Sequence, residues 1–134
     1  MTVRLVTPGG HRPHLAKVVA SDVTNVANGK VVASDGDALV ASDAERPLGI
    51  VVDSVPTDNP PKFLRLAVSG DVIEDTGLTS QTIGVPIWSD GDGTYSVTDP
   101  APSAGTFAWS LGYIVDSDAT KTTIELDFQM VEGS

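Results

Sequence analysis

The acidic tetrapeptides Ser34-Asp35-Gly36-Asp37 and Ser89-Asp90-Gly91-Asp92 are the first residues whose type and spacing could do chemistry. Paired carboxylates can bind calcium, exchange protons as a catalytic pair, or close a β-hairpin. Calcium takes about six to eight oxygen ligands, usually with a bidentate carboxylate at fixed spacing. Each tetrapeptide brings two carboxylates, and no Glu stands twelve positions after the first. The ligand sets are incomplete. Asp-Gly between short β-rich runs is a hairpin signal, with the glycine expected at positive φ. The two tetrapeptides read as turns.

Other constellations fare similarly. His11 and His14 stand three apart in GGHRPH, but Pro13 opposes the helix that would aim both rings at one metal. No G-x-S-x-G is present, and APSAGT lacks the lysine and spacing of a phosphate loop. Asp53 and Asp116 could form a carboxylate pair, yet strand-end aspartates facing water explain them more simply. Trp88, Trp109 and Tyr95 would form a sugar platform if exposed in one cleft, and a core or subunit contact if buried. These residues predict no enzyme, no metal and no cofactor.

The elements that position these residues must come from a chain of 134 residues, enough for one domain with a core. It is 40% hydrophobic but only 5% aromatic, so Val, Leu, Ile and Ala must build that core. A net charge of −10 argues against binding nucleic-acid phosphates or anionic lipid. Cysteine is absent, which excludes disulfides and thiolate chemistry. No apolar run approaches the roughly 18 residues of a membrane span, and MTVRLVTPGGHRPH lacks the apolar core of a signal peptide. The expectation is a soluble protein made in the cytoplasm.

Both tetrapeptides sit inside a longer repeat. DVTNVANGKVVASDGD at 22–37 aligns with GLTSQTIGVPIWSDGD at 77–92 at an offset of 55. LGIVVDS at 48–54 returns as LGYIVDS at 111–117 at an offset of 63, so the second copy carries eight extra residues. The repeat predicts an internal duplication over about 22–70 and 77–133. Alternation places Leu48, Ile50 and Val52 on one face, and Leu111, Tyr113 and Val115 on the matching face. Gly49 and Gly112 suit a bulge or a close backbone approach. Only 15–29 has partial helical spacing, weakened by its β-branched residues. The fold class is all-β, a small barrel or sandwich.

With these pieces in place, the chain resembles the small β-rich head decoration proteins of tailed bacteriophages and related viruses. The resemblance rests on GKVVASDGDALVAS at 29–42, PLGIVVDS at 47–54, LRLAVSGDV at 64–72, IGVPIWSDGDGTYSVTDPAPSAG at 83–105, LGYIVDSDAT at 111–120 and TIELDF at 123–128. It covers about 100 residues as a pattern of glycines, turns and alternation. The resemblance implies a tulip-like β-barrel over 21–134 and an extended capsid-binding arm over 1–20. That arm contains Thr2, Val3, Arg4, Leu5, Val6, Arg12 and Lys17. It further implies a structural protein that cements the outer surface of an icosahedral capsid. The implied partner is the major capsid protein, bound as a homotrimer. A head-fibre base or carbohydrate-binding adhesin module is the alternative.

Overall fold

The computed structural model describes residues 3–7, 14–17, 27–34, 39–52 and 63–133. Among them are ten strands and no α-helix. In chain order these are Val3–Thr7 (β1), His14–Lys17 (β2), Val31–Ala33 (β3), Pro47–Val51 (β4) and Phe63–Ala67 (β5). Val72–Asp75 (β6), Pro86–Ser89 (β7), Tyr95–Ser96 (β8), Phe107–Ser117 (β9) and Thr122–Glu132 (β10) follow. The partial helical spacing over 15–29 yields no helix where it is described: 14–17 is strand and 28–29 is a turn. Residues 18–26 lie outside the described residues.

Two antiparallel sheets form, one ordered β1-β6-β10-β9-β7-β8 and the other β2-β5-β4-β3. The first gives Val3, Ile73, Ile87, Leu111, Ile114, Ile124 and Leu126 to a common core, and the second gives Val31, Ala33, Ile50, Val52 and Ala67. The architecture is a small all-β sandwich, its aliphatic core closed between two sheet faces.

The two halves share one hydrogen-bonding frame at the offsets where the sequence repeats. Val31, Val32 and Ala33 pair with Ile50, Gly49 and Pro47, with a bulge at the last step. Pro86, Ile87 and Trp88 pair with Tyr113, Gly112 and Ser110, with the bulge at the same step. The turns ahead of β3 and β7 match too. Gly29 N–H donates to the Val51 carbonyl and Gly84 N–H to that of Ile114, both at 2.8 Å. A first strand also belongs to each half: β2 lies beside β5, and β6 beside β10. The structural correspondence therefore starts upstream of residues 22 and 77.

Gly49 and Gly112 are the close approaches their positions suggest. A Cβ on Gly49 would lie 2.7 Å from the Ala67 carbonyl oxygen, and one on Gly112 2.1 Å from that of Glu125. Gly112 also sits at φ +152°. Side-chain alternation fares less well, because each bulge changes the face that follows. Leu48 packs with Val32, Val51 and Leu66 in a second cluster, apart from Ile50 and Val52. In the other half Leu111 is buried, while Tyr113 and Val115 are exposed and Ile114 takes the core.

Ser89-Asp90-Gly91-Asp92 does close a hairpin, between β7 and β8. The positive φ falls on Asp92 (61°) and Gly93 (74°), not on Gly91. Asp90 N–H donates to the Thr94 carbonyl at 2.8 Å, so the turn is one step longer than a two-residue loop. Asp35 to Asp37 of the first tetrapeptide lie outside the described residues.

Candidate docking face

The outer face of the six-stranded sheet carries a row of side chains running across its strands. Val72 of β6 pairs with Glu125 of β10, Glu125 with Tyr113 of β9, and Tyr113 with Pro86 of β7. Val6 joins the row at the bulge of β1, where Thr7 pairs with Val72. Val6 is 44% exposed, Tyr113 39% and Val115 37%. Single exposed apolar side chains are ordinary on a surface; several on one sheet face mark a contact surface.

Polar contacts hold this face in place. Tyr113 Oη donates to Glu125 Oε2 at 2.8 Å. That bond, with the charges of Glu125 and Asp127, raises the phenol above its ordinary value. One row along, Glu74 accepts from Arg4 Nε at 2.8 Å and from Lys121 Nζ at 3.0 Å. The two cationic donors hold the Glu74 carboxyl below its ordinary value. Glu74 ties β1 to the β9–β10 turn through its two oxygens.

The corresponding positions of the other sheet have the opposite environment. Val31, Ile50 and Ala67 occupy the places of Pro86, Tyr113 and Glu125, and all three are buried in the core. Val32, Val51 and Leu66 of the four-stranded sheet are buried as well, in a second cluster with Leu39 and Leu48. The six-stranded sheet keeps one face open.

The residues assigned to an arm fall as follows. Val3, Arg4, Leu5 and Val6 belong to β1, an edge strand of the sandwich, and Lys17 belongs to β2. Thr2 and Arg12 lie outside the described residues. Val3 is buried in the core, and Leu5 packs against it. Asn28 clamps the strand: Val3 N–H donates to its Oδ1 at 2.8 Å, and its Nδ2 donates to the Val3 carbonyl at 2.7 Å. The difference from an extended arm has a physical cause. Alternation of Val3, Arg4 and Leu5 fits the chain's own β6 edge, with apolar residues inward and Arg4 on Glu74. Among the arm residues whose side chains are described, Arg4 and Val6 are exposed.

The other candidates do not converge. Asp116 is exposed, and Asp53 and His11 lie outside the described residues. Among the described residues no group of three or more His, Asp or Glu could hold a metal ion. Trp88 is buried, Trp109 lines a groove, and Tyr95 borders a separate cleft. Tyr95 Oη donates to Asp75 Oδ2 at 2.6 Å; burial first, then the Asp75 charge, pushes the phenol well above its ordinary value. That pair is a satisfied internal hydrogen bond, since Asp75 Oδ1 also accepts from Gly77 N–H at 2.7 Å.

Sequence reasoning missed the row itself, although a signal was available. Where one repeat has Val31 and Ile50, the other has Pro86 and Tyr113 at the offsets of 55 and 63. Proline and amphipathic tyrosine in place of two aliphatic residues mark a face that has left the core. The chain matches no known family profile and no curated protein sequence.

Proposed function

We propose that this chain is a structural virion protein that binds the outer surface of an icosahedral capsid and stabilises it. Two things support the reading: the resemblance in glycine, turn and strand pattern, and the open face of the six-stranded sheet. The observation that carries it is the exposure of Tyr113, Val115 and Val6 on one face, while the equivalents of Tyr113 and Pro86 in the other sheet are buried. Tyr is favoured at contacts because one end is apolar and the other hydrogen-bonds.

In this proposal the N-terminal strand acts from within the sandwich. It contributes Val6 and Arg4 to the face, and as the last strand of its sheet it offers an edge to which a capsid strand can add. A homotrimer on the capsid would multiply a weak single contact through effective concentration. The partner is the major capsid protein, and the location is the outer surface of the virion.

The test mixes purified chain with undecorated capsids and measures co-sedimentation. Wild type is expected to bind and to raise the temperature at which the capsids disrupt. Replacing Tyr113 and Val115 together by Ser should abolish binding while the free protein melts as before. Full binding by this double variant would overturn the docking face. No binding by the intact chain would overturn the decoration reading itself.

A further inference from the structure

A groove of about 620 Å³ opens beside the β3–β4 hairpin and the β5–β6 turn. It is lined by Ser34 and Arg46 from the β3–β4 hairpin, Val68 and Ser69 from the β5–β6 turn, and Trp109 and Phe128 from β9 and β10. Its size falls within the range of about 300–1,000 Å³ typical of small-molecule sites. Arg46 and Trp109 are equivalent positions of the two repeats at the 63-residue offset. The groove therefore forms where corresponding ends of both halves meet.

Its walls are held by backbone hydrogen bonds on each side. Trp109 N–H donates to the Asp43 carbonyl at 3.0 Å, tying β9 to the β3–β4 loop. Ser69 Oγ accepts from Phe128 N–H at 2.9 Å, at the bulge of β10 between Leu126 and Gln129. Ser69 thus accepts within the wall and keeps its own hydroxyl proton to donate. Ser34 N–H donates to the Arg46 carbonyl at 2.9 Å, which fixes the backbone carrying the guanidinium. Arg46 is exposed and makes no side-chain hydrogen bond or ion pair among the described residues.

These groups define a ligand chemistry. Trp109 and Phe128, both half-buried, bring two aromatic rings to the lining, a residue type that stacks against apolar C–H faces. The guanidinium brings five donors, and the hydroxyls of Ser34 and Ser69 both donate and accept. A ligand that presents flat C–H faces and a rim of hydroxyls satisfies both sets at once. No carboxylate lines the groove, so a cationic ligand meets only Arg46. The chain's net charge of −10, with Asp43 and Asp127 beside lining residues, disfavours an anionic one. We propose that this groove binds a neutral saccharide, stacked on Trp109 and Phe128 and hydrogen-bonded by Arg46, Ser34 and Ser69. The site lies apart from the docking row of Val6, Pro86 and Tyr113, so saccharide binding and capsid binding stand or fall separately.

The experiment titrates the full chain with neutral trisaccharides of glucose, galactose and mannose, following tryptophan fluorescence and heat of binding. The controls are a uronic-acid trisaccharide and a proline-rich peptide. Trp88 is buried, so the fluorescence change on saturation should come from Trp109. At least one neutral sugar is expected to bind saturably. Trp109→Ala and Arg46→Ala should each weaken it at least tenfold, with Trp109→Phe restoring part of the loss. Arg46 is exposed, so its variant tests the site even if Trp109→Ala fails to fold. The absence of saturable binding by every neutral sugar at millimolar concentration would overturn the proposal. Tighter binding of the uronic acid or of the peptide would overturn it too, as would binding indifferent to Arg46→Ala.

Discussion

The sheet built from β2 to β5 and the β6, β7, β9 and β10 portion of its partner have the same strand order, register, bulge and glycine contacts. They differ in what they do with their faces. Ile50 is sealed in the core, while Tyr113 at the corresponding place stands 39% exposed beside Glu125. Backbone geometry and face choice are therefore separable. Gly49 and Gly112 let a carbonyl approach and so set the frame; the side chains then decide which face is covered. One frame carries buried Val31, Ile50 and Ala67 in one sheet and exposed Pro86 and Tyr113 at the corresponding places in the other.

The largest expected effect breaks the shared frame. Gly112→Ala would put a Cβ 2.1 Å from the Glu125 carbonyl oxygen, at a φ of +152° that side chains rarely adopt. It should cost more than about 4 kcal/mol in denaturant unfolding, or prevent folding altogether. Gly49→Ala meets its carbonyl at 2.7 Å without positive φ, so it should be destabilising but less so. Equal costs would show that the two frames are strained alike.

The next effect sharpens the difference between faces. Ile50→Ala opens a cavity in the core and should cost about 2–5 kcal/mol. Tyr113→Ala, at the equivalent exposed position, should stay within about 0.5 kcal/mol of wild type. Unfolding curves of the two variants side by side provide the check. A smaller asymmetry is expected at the turns that precede β3 and β7. Asn28→Ala removes both hydrogen bonds to Val3 and should cost about 1–3 kcal/mol, with faster amide exchange in β1. Ile83, its counterpart in the other half, is 64% exposed, and Ile83→Ala should leave the melting temperature unchanged.

The smallest effect is a pH dependence. Arg4 and Lys121 hold the folded Glu74 carboxyl below its ordinary value of 4.5, so the unfolded chain takes up the proton first as pH falls. Its stabilisation is complete above that ordinary value and is lost as pH drops through the lower folded one. Glu74→Gln should flatten acid destabilisation in this window. Asp118, held below its ordinary value of 3.8 mainly by hydrogen bonds from Thr120, adds an acid dependence of its own that Glu74→Gln leaves in place.

Much of the frame was legible in the sequence, because glycines and turns act locally. The all-β class follows from alternation and turn residues, and Gly49 and Gly112, read as a bulge or a close approach, each let a carbonyl oxygen come near. The faces were harder. A bulge adds one residue, and alternation read through it puts Leu48 and Tyr113 on the wrong side. The N-terminal strand was illegible for another reason. Val3-Arg4-Leu5 has the same alternation whether it pairs with a partner or with its own β6, and only the Asn28 clamp and Glu74 distinguish the two. The groove was legible only as single residues, since Arg46 and Trp109 meet through the packing of two sheets.

A reconstruction of decorated capsids at side-chain resolution tests the central claim most directly. The proposed account predicts that Val6, Pro86, Tyr113 and Val115 are buried against the major capsid protein, with the groove at Arg46 and Trp109 facing outward. Contact made instead through the four-stranded sheet, with Tyr113 and Val115 left in solvent, would contradict it.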